Sequence, residues 1–173
     1  MVPEIHTERL RLRAHTAADL DAVATMWGDP AVTRFIGGTP LTREESWARM
    51  LRYAGHWVLL GHGPWLMEEK ATGRYAGDIG FWTLKREIDP PFDAPEQGWV
   101  LAQWAHGRGY ATEAGLAILD WARTHFGPVP FVCMISPDNT GSIRVAEKLG
   151  YREFARTSYR GAPSVLFRRV PGS

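Results

Sequence analysis

The chain has 173 residues, 45% hydrophobic and 23% charged. That is one ordinary domain, long enough to bury roughly 70% of the surface its unfolded form exposes. The composition excludes intrinsic disorder, and no apolar run approaches the roughly 20 residues of a membrane span. With 20 Lys and Arg against 19 Asp and Glu the formal charge is +1, so no global field draws the protein to nucleic acid or an anionic membrane, and any anion site must be local. The single cysteine, Cys133, cannot close an internal disulfide, and no paired Cys or His spacing points to a metal. Glu4, His6, Glu8 and Arg9 stand where a secretory signal would be apolar, which makes the cytoplasm the expected compartment.

Arg9-Leu-Arg-Leu-Arg13 alternates with period two, the pattern of a half-buried strand with its basic side chains in water. Thr16 and Asp19 have capping-box spacing, and Leu20, Val23, Ala24 and Trp27 follow at i, i+3, i+4 and i+7, so a helix should run to Gly28-Asp-Pro30. A second helix is expected behind Thr42 and Glu45, with Trp47, Met50, Leu51 and Ala54 as its apolar stripe. Trp27, Trp47 and Trp121 all fall on such faces and read as core. Trp65–Glu69 and Tyr75–Leu84, split by Ala-Thr-Gly73, read as an antiparallel hairpin. The proline-rich stretch Lys85–Pro95 is a stiff loop before a strand, Glu96–Gln103. A helix from Gly109 carries Ala114, Ala117, Ile118, Trp121 and Ala122 on one face. Phe131–Ser136 is a buried strand, Asn139–Leu149 a helix stopped by Gly150, and Tyr151–Tyr159 and Val165–Val170 close the chain as strands. No repeat or linker interrupts this order, so residues 1–173 should form a single α+β domain.

The stretch that carries chemistry is Trp104-Ala-His-Gly-Arg-Gly-Tyr-Ala-Thr-Glu113, between a strand and a helix. Gly107 and Gly109 let backbone approach a ligand, and the free N–H groups of Gly109–Thr112 make a helix start that can cradle a phosphate beside Arg108. Two other readings stay open: a tight strand-to-helix turn with no ligand, and a dinucleotide fold. The latter wants a third glycine where Thr112 stands and a turn directly against the strand. Further along, Asn139-Thr-Gly-Ser142 opens a helix. Ser142 shares a face with Val145, Ala146 and Leu149, so its hydroxyl points inward and needs a partner. Asn139 either caps that helix or meets a ligand.

With Thr7-Glu-Arg-Leu-Arg-Leu-Arg13, Gly77-Asp-Ile-Gly80, Gly107-Arg-Gly-Tyr-Ala-Thr-Glu-Ala114, Asn139-x-x-Ser142 and Leu149-Gly-Tyr151 in this order, nearly the whole chain resembles the GCN5-related N-acetyltransferase superfamily. Within it, the chain looks like the branch that contains the ribosomal-protein N-terminal acetyltransferases. The resemblance implies a mixed, mostly antiparallel sheet flanked by helices, with a splay between its two central strands, and acetyl-CoA as cosubstrate. His106, Gly107, Arg108, Gly109, Tyr110, Ala111 and Thr112 would match the pyrophosphate motif, His106 replacing the usual Gln or Arg. Val100 and Leu101 would meet the pantetheine arm by main chain, an N–H near Val100 holding the thioester carbonyl.

Many members carry a tyrosine acid four residues before the Gly of Leu-Gly-Tyr. Here that position is Ala146, and Ser142 is the substitute implied by the branch. Glu96 resembles a general-base glutamate. It lies roughly 13 Å of extended chain from Val100 and would act through water or by binding the amine. Asp78 is a weaker candidate of the same kind, and Trp82 and Trp99 would wall the acceptor pocket.

The implied reaction is direct acetyl transfer to a primary amine, a protein N-terminus or a small molecule, in a ternary complex. A catalytically idle acyl-CoA-binding sensor or scaffold is the alternative. The acceptor loops Ile36–Pro40 and Lys85–Pro95 carry no readable code. An aromatic-rich chain of this size can also bury an edge strand in a homodimer.

Overall fold

The computed structural model describes residues 1–172. After the short β1 (Ile5–His6), β2 (Leu10–Arg13) leads into one 3-10 turn at Ala17–Asp19, continued by α1 (Leu20–Trp27). The expected cap is there: the Asp19 carboxylate accepts from the Thr16 N–H at 2.7 Å and from its hydroxyl at 2.9 Å. A short α2 (Pro30–Thr33) precedes α3 (Arg43–Leu60), whose start is held by the reciprocal Thr42 and Glu45 bonds and whose end is Gly61 in the left-handed region. Then follow β3 (Pro64–Glu69), β4 (Tyr75–Trp82), β5 (Glu96–Leu101), α4 (Tyr110–Phe126), β6 (Phe131–Ile135), α5 (Thr140–Lys148), β7 (Arg152–Tyr159) and β8 (Ala162–Arg169).

One eight-stranded sheet runs in the order β1-β2-β3-β4-β5-β6-β8-β7. Every neighbouring pair is antiparallel except the central one, β5 with β6. Whereas β4 and β5 match over six residue pairs, Glu96↔Val132 alone joins β5 to β6. The two strands therefore meet at their start and diverge, leaving a wedge that opens toward Leu101 and Ile135. This is the expected splay.

The sheet is covered on both sides. Against α4 and α5 lie Ile79, Phe81, Leu101 and Cys133, packed with Ala114, Ile118, Ala122, Ala146 and Leu149. Against α1 and α3 lie Val100 and Ala102, with Val23, Met26, Trp27 and Met50. Each fully buried large side chain contributes roughly 1.5–3 kcal/mol.

The face of α3 differs from expectation. It buries Ser46, Met50 and Tyr53, while Trp47 is 37% and Leu51 54% exposed. The helix is apolar on more than one side, and the sheet took the side on which Tyr53 meets Trp82, with ring centroids 6.2 Å apart. In Gly77-Asp-Ile-Gly80 both glycines are demanded by strand contact. A Cβ on Gly77, at φ +145°, would stand 2.1 Å from the Val100 carbonyl oxygen, and one on Gly80 2.4 Å from that of Gly63.

Candidate active site

At the open end of the wedge the chain leaves β5 through one 3-10 turn, Gln103–Ala105, and reaches Gly107 and Gly109 at φ +72° and +80°. Those angles suit glycine, and the space beside them is clear. A Cβ on Gly107 would meet nothing within 4 Å, and one on Gly109 only Arg9 Nη2 at 3.5 Å. No side chain caps α4. The Glu113 N–H donates to the Gly109 carbonyl at 3.0 Å, while the N–H groups of Tyr110, Ala111 and Thr112 precede any intrahelical acceptor and point out of the helix start. Together with the dipole of a 17-residue helix they form a cradle for a polyanion.

Neighbouring elements hold this turn rigid. Arg9, just before β2, donates through Nε to Glu113 at 2.7 Å and through Nη1 to the Arg108 carbonyl at 2.9 Å. Tyr110 is buried and its hydroxyl donates to Glu69 at 2.5 Å, so only its main chain faces the cradle. Arg108 is half exposed, anchored through Nε to the Trp104 carbonyl at 3.1 Å, with its Nη1 3.8 Å from the Glu69 carboxylate. His106 is exposed, and its Nε2 lies 3.0 Å from the Leu101 carbonyl oxygen, joining the turn to the strand.

Inside the wedge the orientation of β5 decides which groups are available. The Ala102 N–H donates to Ala76 on β4, and the Val100 carbonyl presses on Gly77. By strand alternation the main chain of Val100 is turned toward β4, while the main-chain groups of Trp99 and Leu101 face the gap. Of the two expected main-chain contacts, Leu101 thus faces the gap, whereas Val100 is turned to β4 and its side chain belongs to the α1 and α3 core.

On the opposite wall, Ser142 Oγ accepts from the Trp99 indole N–H at 3.2 Å, the inward partner its position required. Asn139 acts as helix cap, its Oδ1 accepting from the Ser142 N–H at 3.1 Å. Ala146, where the tyrosine acid would stand, is fully buried. Burial pushes the Cys133 thiol well above its ordinary range, with the Glu96 charge adding to it, so it is no ready nucleophile.

At the closed end, about 17 Å of strand from Leu101, Glu96 is gripped by Arg86 through bonds of 2.7 and 2.9 Å. It borders an open cleft of about 570 Å³ lined by residues that include Trp82, Lys85, Arg86 and Phe92. Asp78 is completely buried, accepting from Tyr75 at 2.7 Å and facing His15 Nε2 at 2.8 Å and the Trp27 indole at 3.3 Å, which makes it a structural carboxylate. Trp82 lies over Gly98 on the α3 side and Trp99 meets Ser142 on the α5 side, so the two indoles stand on opposite faces and cannot wall one pocket. Sequence reading missed Arg86, Arg9 and Glu69, because their partners are 10, 104 and 41 residues away.

These features, a one-pair wedge between parallel strands with an uncapped helix start at its mouth, coincide with a match of residues 9–152 to the acetyltransferase (GNAT) domain model. The chain belongs to the GNAT acetyltransferase family. Members are acetyl-CoA-dependent acyltransferases, and the α+β fold agrees. A curated relative, an uncharacterized N-acetyltransferase p20 of Bacillus licheniformis, is 28% identical over 86% of this chain and 82% of its own. A GNAT-family acetyltransferase structure from Bordetella pertussis superposes with a TM-score of 0.85 at 30% identity, covering 97% of this chain and 99% of that one. A ribosomal L7/L12 alpha-N-protein acetyltransferase in complex with coenzyme A has the same fold, with a TM-score of 0.79, 17% identity and 98% coverage of both chains.

Proposed function

We propose that this GNAT member transfers acetyl from acetyl-CoA directly to a primary amine, a protein N-terminus or a small molecule, within a ternary complex. The observation that carries this reading is the wedge itself: an anion cradle at its mouth, Leu101 and Trp99 main chain along one wall, Ser142 along the other. Gly107, Gly109 and the N–H groups of Tyr110, Ala111 and Thr112 would receive the pyrophosphate, with Arg108 beside them and Asn139 fixing the helix that presents Ser142.

Acetyl-CoA supplies the activated acyl carbon. A main-chain N–H of β5 that faces the gap holds the carbonyl oxygen as charge builds on it. The Ser142 hydroxyl supplies a proton to the departing sulfur. The amine enters by the cleft at Glu96, which acts on it through water or by binding it, because Arg86 already engages both carboxylate oxygens.

Calorimetric titration with acetyl-CoA, beside NAD and FAD, tests the cosubstrate, and steady-state assays over a panel of amines test the transfer. Micromolar affinity for acetyl-CoA alone and turnover of at least one amine are expected. Tight binding with no turnover would favour the idle alternative, and dinucleotide binding would overturn the reading of the turn.

A further inference from the structure

Arg74 stands at the rim of the anion cradle, in the turn between β3 and β4, exposed and with its guanidinium 4.0 Å over the Trp104 ring. That ring is itself fixed. The Trp104 indole N–H donates to the Tyr75 carbonyl at 3.3 Å, and the ring meets Tyr110 in a T-shaped contact with centroids 6.4 Å apart. The turn is also tied to the cradle bond by bond. The Arg74 N–H donates to the Thr72 hydroxyl oxygen at 3.2 Å, that hydroxyl donates to Glu69 at 2.5 Å, and the other Glu69 oxygen accepts from Tyr110, the first residue of α4.

Around this rim the charges do not balance. Arg9 is paired with Glu113 at 2.6 Å, and Arg108 lies 3.8 Å from Glu69, both of whose oxygens already accept hydroxyl bonds. Glu8 and Lys70, just before β2 and just after β3, are of opposite sign and cancel. Among the described residues Arg74 has no ion pair and its guanidinium donates no hydrogen bond; an aromatic face holds it. Three arginines thus stand against two carboxylates. The sheet order adds a direction. The wedge lies between β5 and β6, whereas the Arg74 turn joins β3 and β4 on the other side of β5. A ligand with its polyanionic middle on the start of α4 and one arm in the wedge is left to place its other end on the Arg74 side.

Resting on the reading that the cradle receives the pyrophosphate of coenzyme A, we infer that Arg74 receives the 3′-phosphate of the same molecule. That group sits on the ribose next to the pyrophosphate and, as a phosphate monoester, carries roughly −1.5 to −2 charge at neutral pH. A guanidinium already laid on an indole loses little freedom on meeting it, and it offers paired N–H donors to two of its oxygens. Trp104 positions the arginine and touches no phosphate. Through Arg74 the chain tells coenzyme A from the otherwise identical molecule that lacks this phosphate.

The test is calorimetric titration of the full-length protein with coenzyme A and with 3′-dephospho-coenzyme A, which differ in that phosphate alone. The wild type should bind the dephospho form about tenfold or more weakly, the scale of one charge-assisted contact. Arg74→Gln should weaken coenzyme A by about the same factor and leave the dephospho form within about twofold, so that the discrimination falls toward unity. Arg74→Lys, which keeps the charge and loses the fork, should retain part of it. Equal affinity of the wild type for the two molecules overturns the inference, as does a discrimination that survives Arg74→Gln. Equal weakening of both molecules in Arg74→Gln would make Arg74 a prop of the turn and overturn it as well. Binding of neither molecule by the wild type would sink the reading of the cradle itself, and the inference with it.

Discussion

The Trp99 indole donates to Ser142 Oγ at 3.2 Å, across the gap that separates β5 from β6. Because the oxygen accepts there, its own hydrogen is free to be given to a third atom. Replacing Ser142 by Ala should therefore lower kcat about 100-fold, the lower range of a positioned proton donor, and leave the Kd for acetyl-CoA within about threefold. Trp99→Phe, which removes the orienting donor and keeps the ring, should lower kcat less. A loss of affinity with kcat intact would make Ser142 a binding group and no acid.

Gly109 at φ +80° has room for a side chain but not the backbone for one. Gly109→Val should raise the Kd for acetyl-CoA at least tenfold, since a β-branched residue in this region costs about 1–3 kcal/mol or distorts the cradle. Circular dichroism should show the helix content retained. Unchanged affinity would remove the turn from the binding site.

Arg9 touches no expected ligand atom, yet it clamps Glu113 and the Arg108 carbonyl together. Arg9→Ala is expected to raise the acetyl-CoA Kd about three- to tenfold and to lower Tm by about 2–4 °C, the shift of a 1 kcal/mol loss in a chain this long. The KM for the amine should not move. Arg9→Lys, able to make one bond of the two, should recover part of the affinity.

Asp19 sets an acid limit on stability. Burial alone would push its carboxyl up, but Arg13, at 2.8 and 2.9 Å, and the Thr16 bonds outweigh it and hold it at about 2 against an ordinary 3.8. A folded-state value below the unfolded one stabilises above pH 3.8 and is lost as pH falls through about 2. Thermal melts of the wild type and Asp19→Asn should differ by a constant amount above about pH 5 and converge between pH 4 and 2. A gap that stays constant down to pH 2 would contradict the assignment.

Cys133 should resist iodoacetamide at pH 8 in the folded protein and react promptly in urea, given its 2% exposure and raised thiol pKa. Cys133→Ser should retain most of the activity. Its loss would reopen a covalent route.

Local signals carried the fold far. The capping pairs at Thr16 and Thr42, the turn at Gly73 and the helix stop at Gly150 act within a few residues, and each lies where periodicity and turn chemistry predicted. What failed was orientation. Trp47 and Tyr53 both sit on an amphipathic stretch, and only the position of Trp82 on another element decides which is buried. Val100 against Leu101 is a question of strand parity, fixed by a hydrogen bond from Ala102 to Ala76 that no local pattern encodes. The Arg9–Glu113 clamp and the Tyr110–Glu69 bond join segments far apart in the chain, so their meeting is a property of the closed fold.

The lone pairing of Glu96 with Val132 divides the sheet into a five-strand leaf and a three-strand leaf pinned at one point, with α4 running between them. A molecule that enters from the open side touches both leaves at once and behaves as a keystone, closing by its own polar groups the seam that the chain leaves unstitched. On the reading proposed above that molecule is acetyl-CoA, and at a thousandfold excess over its Kd the folded protein gains about 4 kcal/mol of stability.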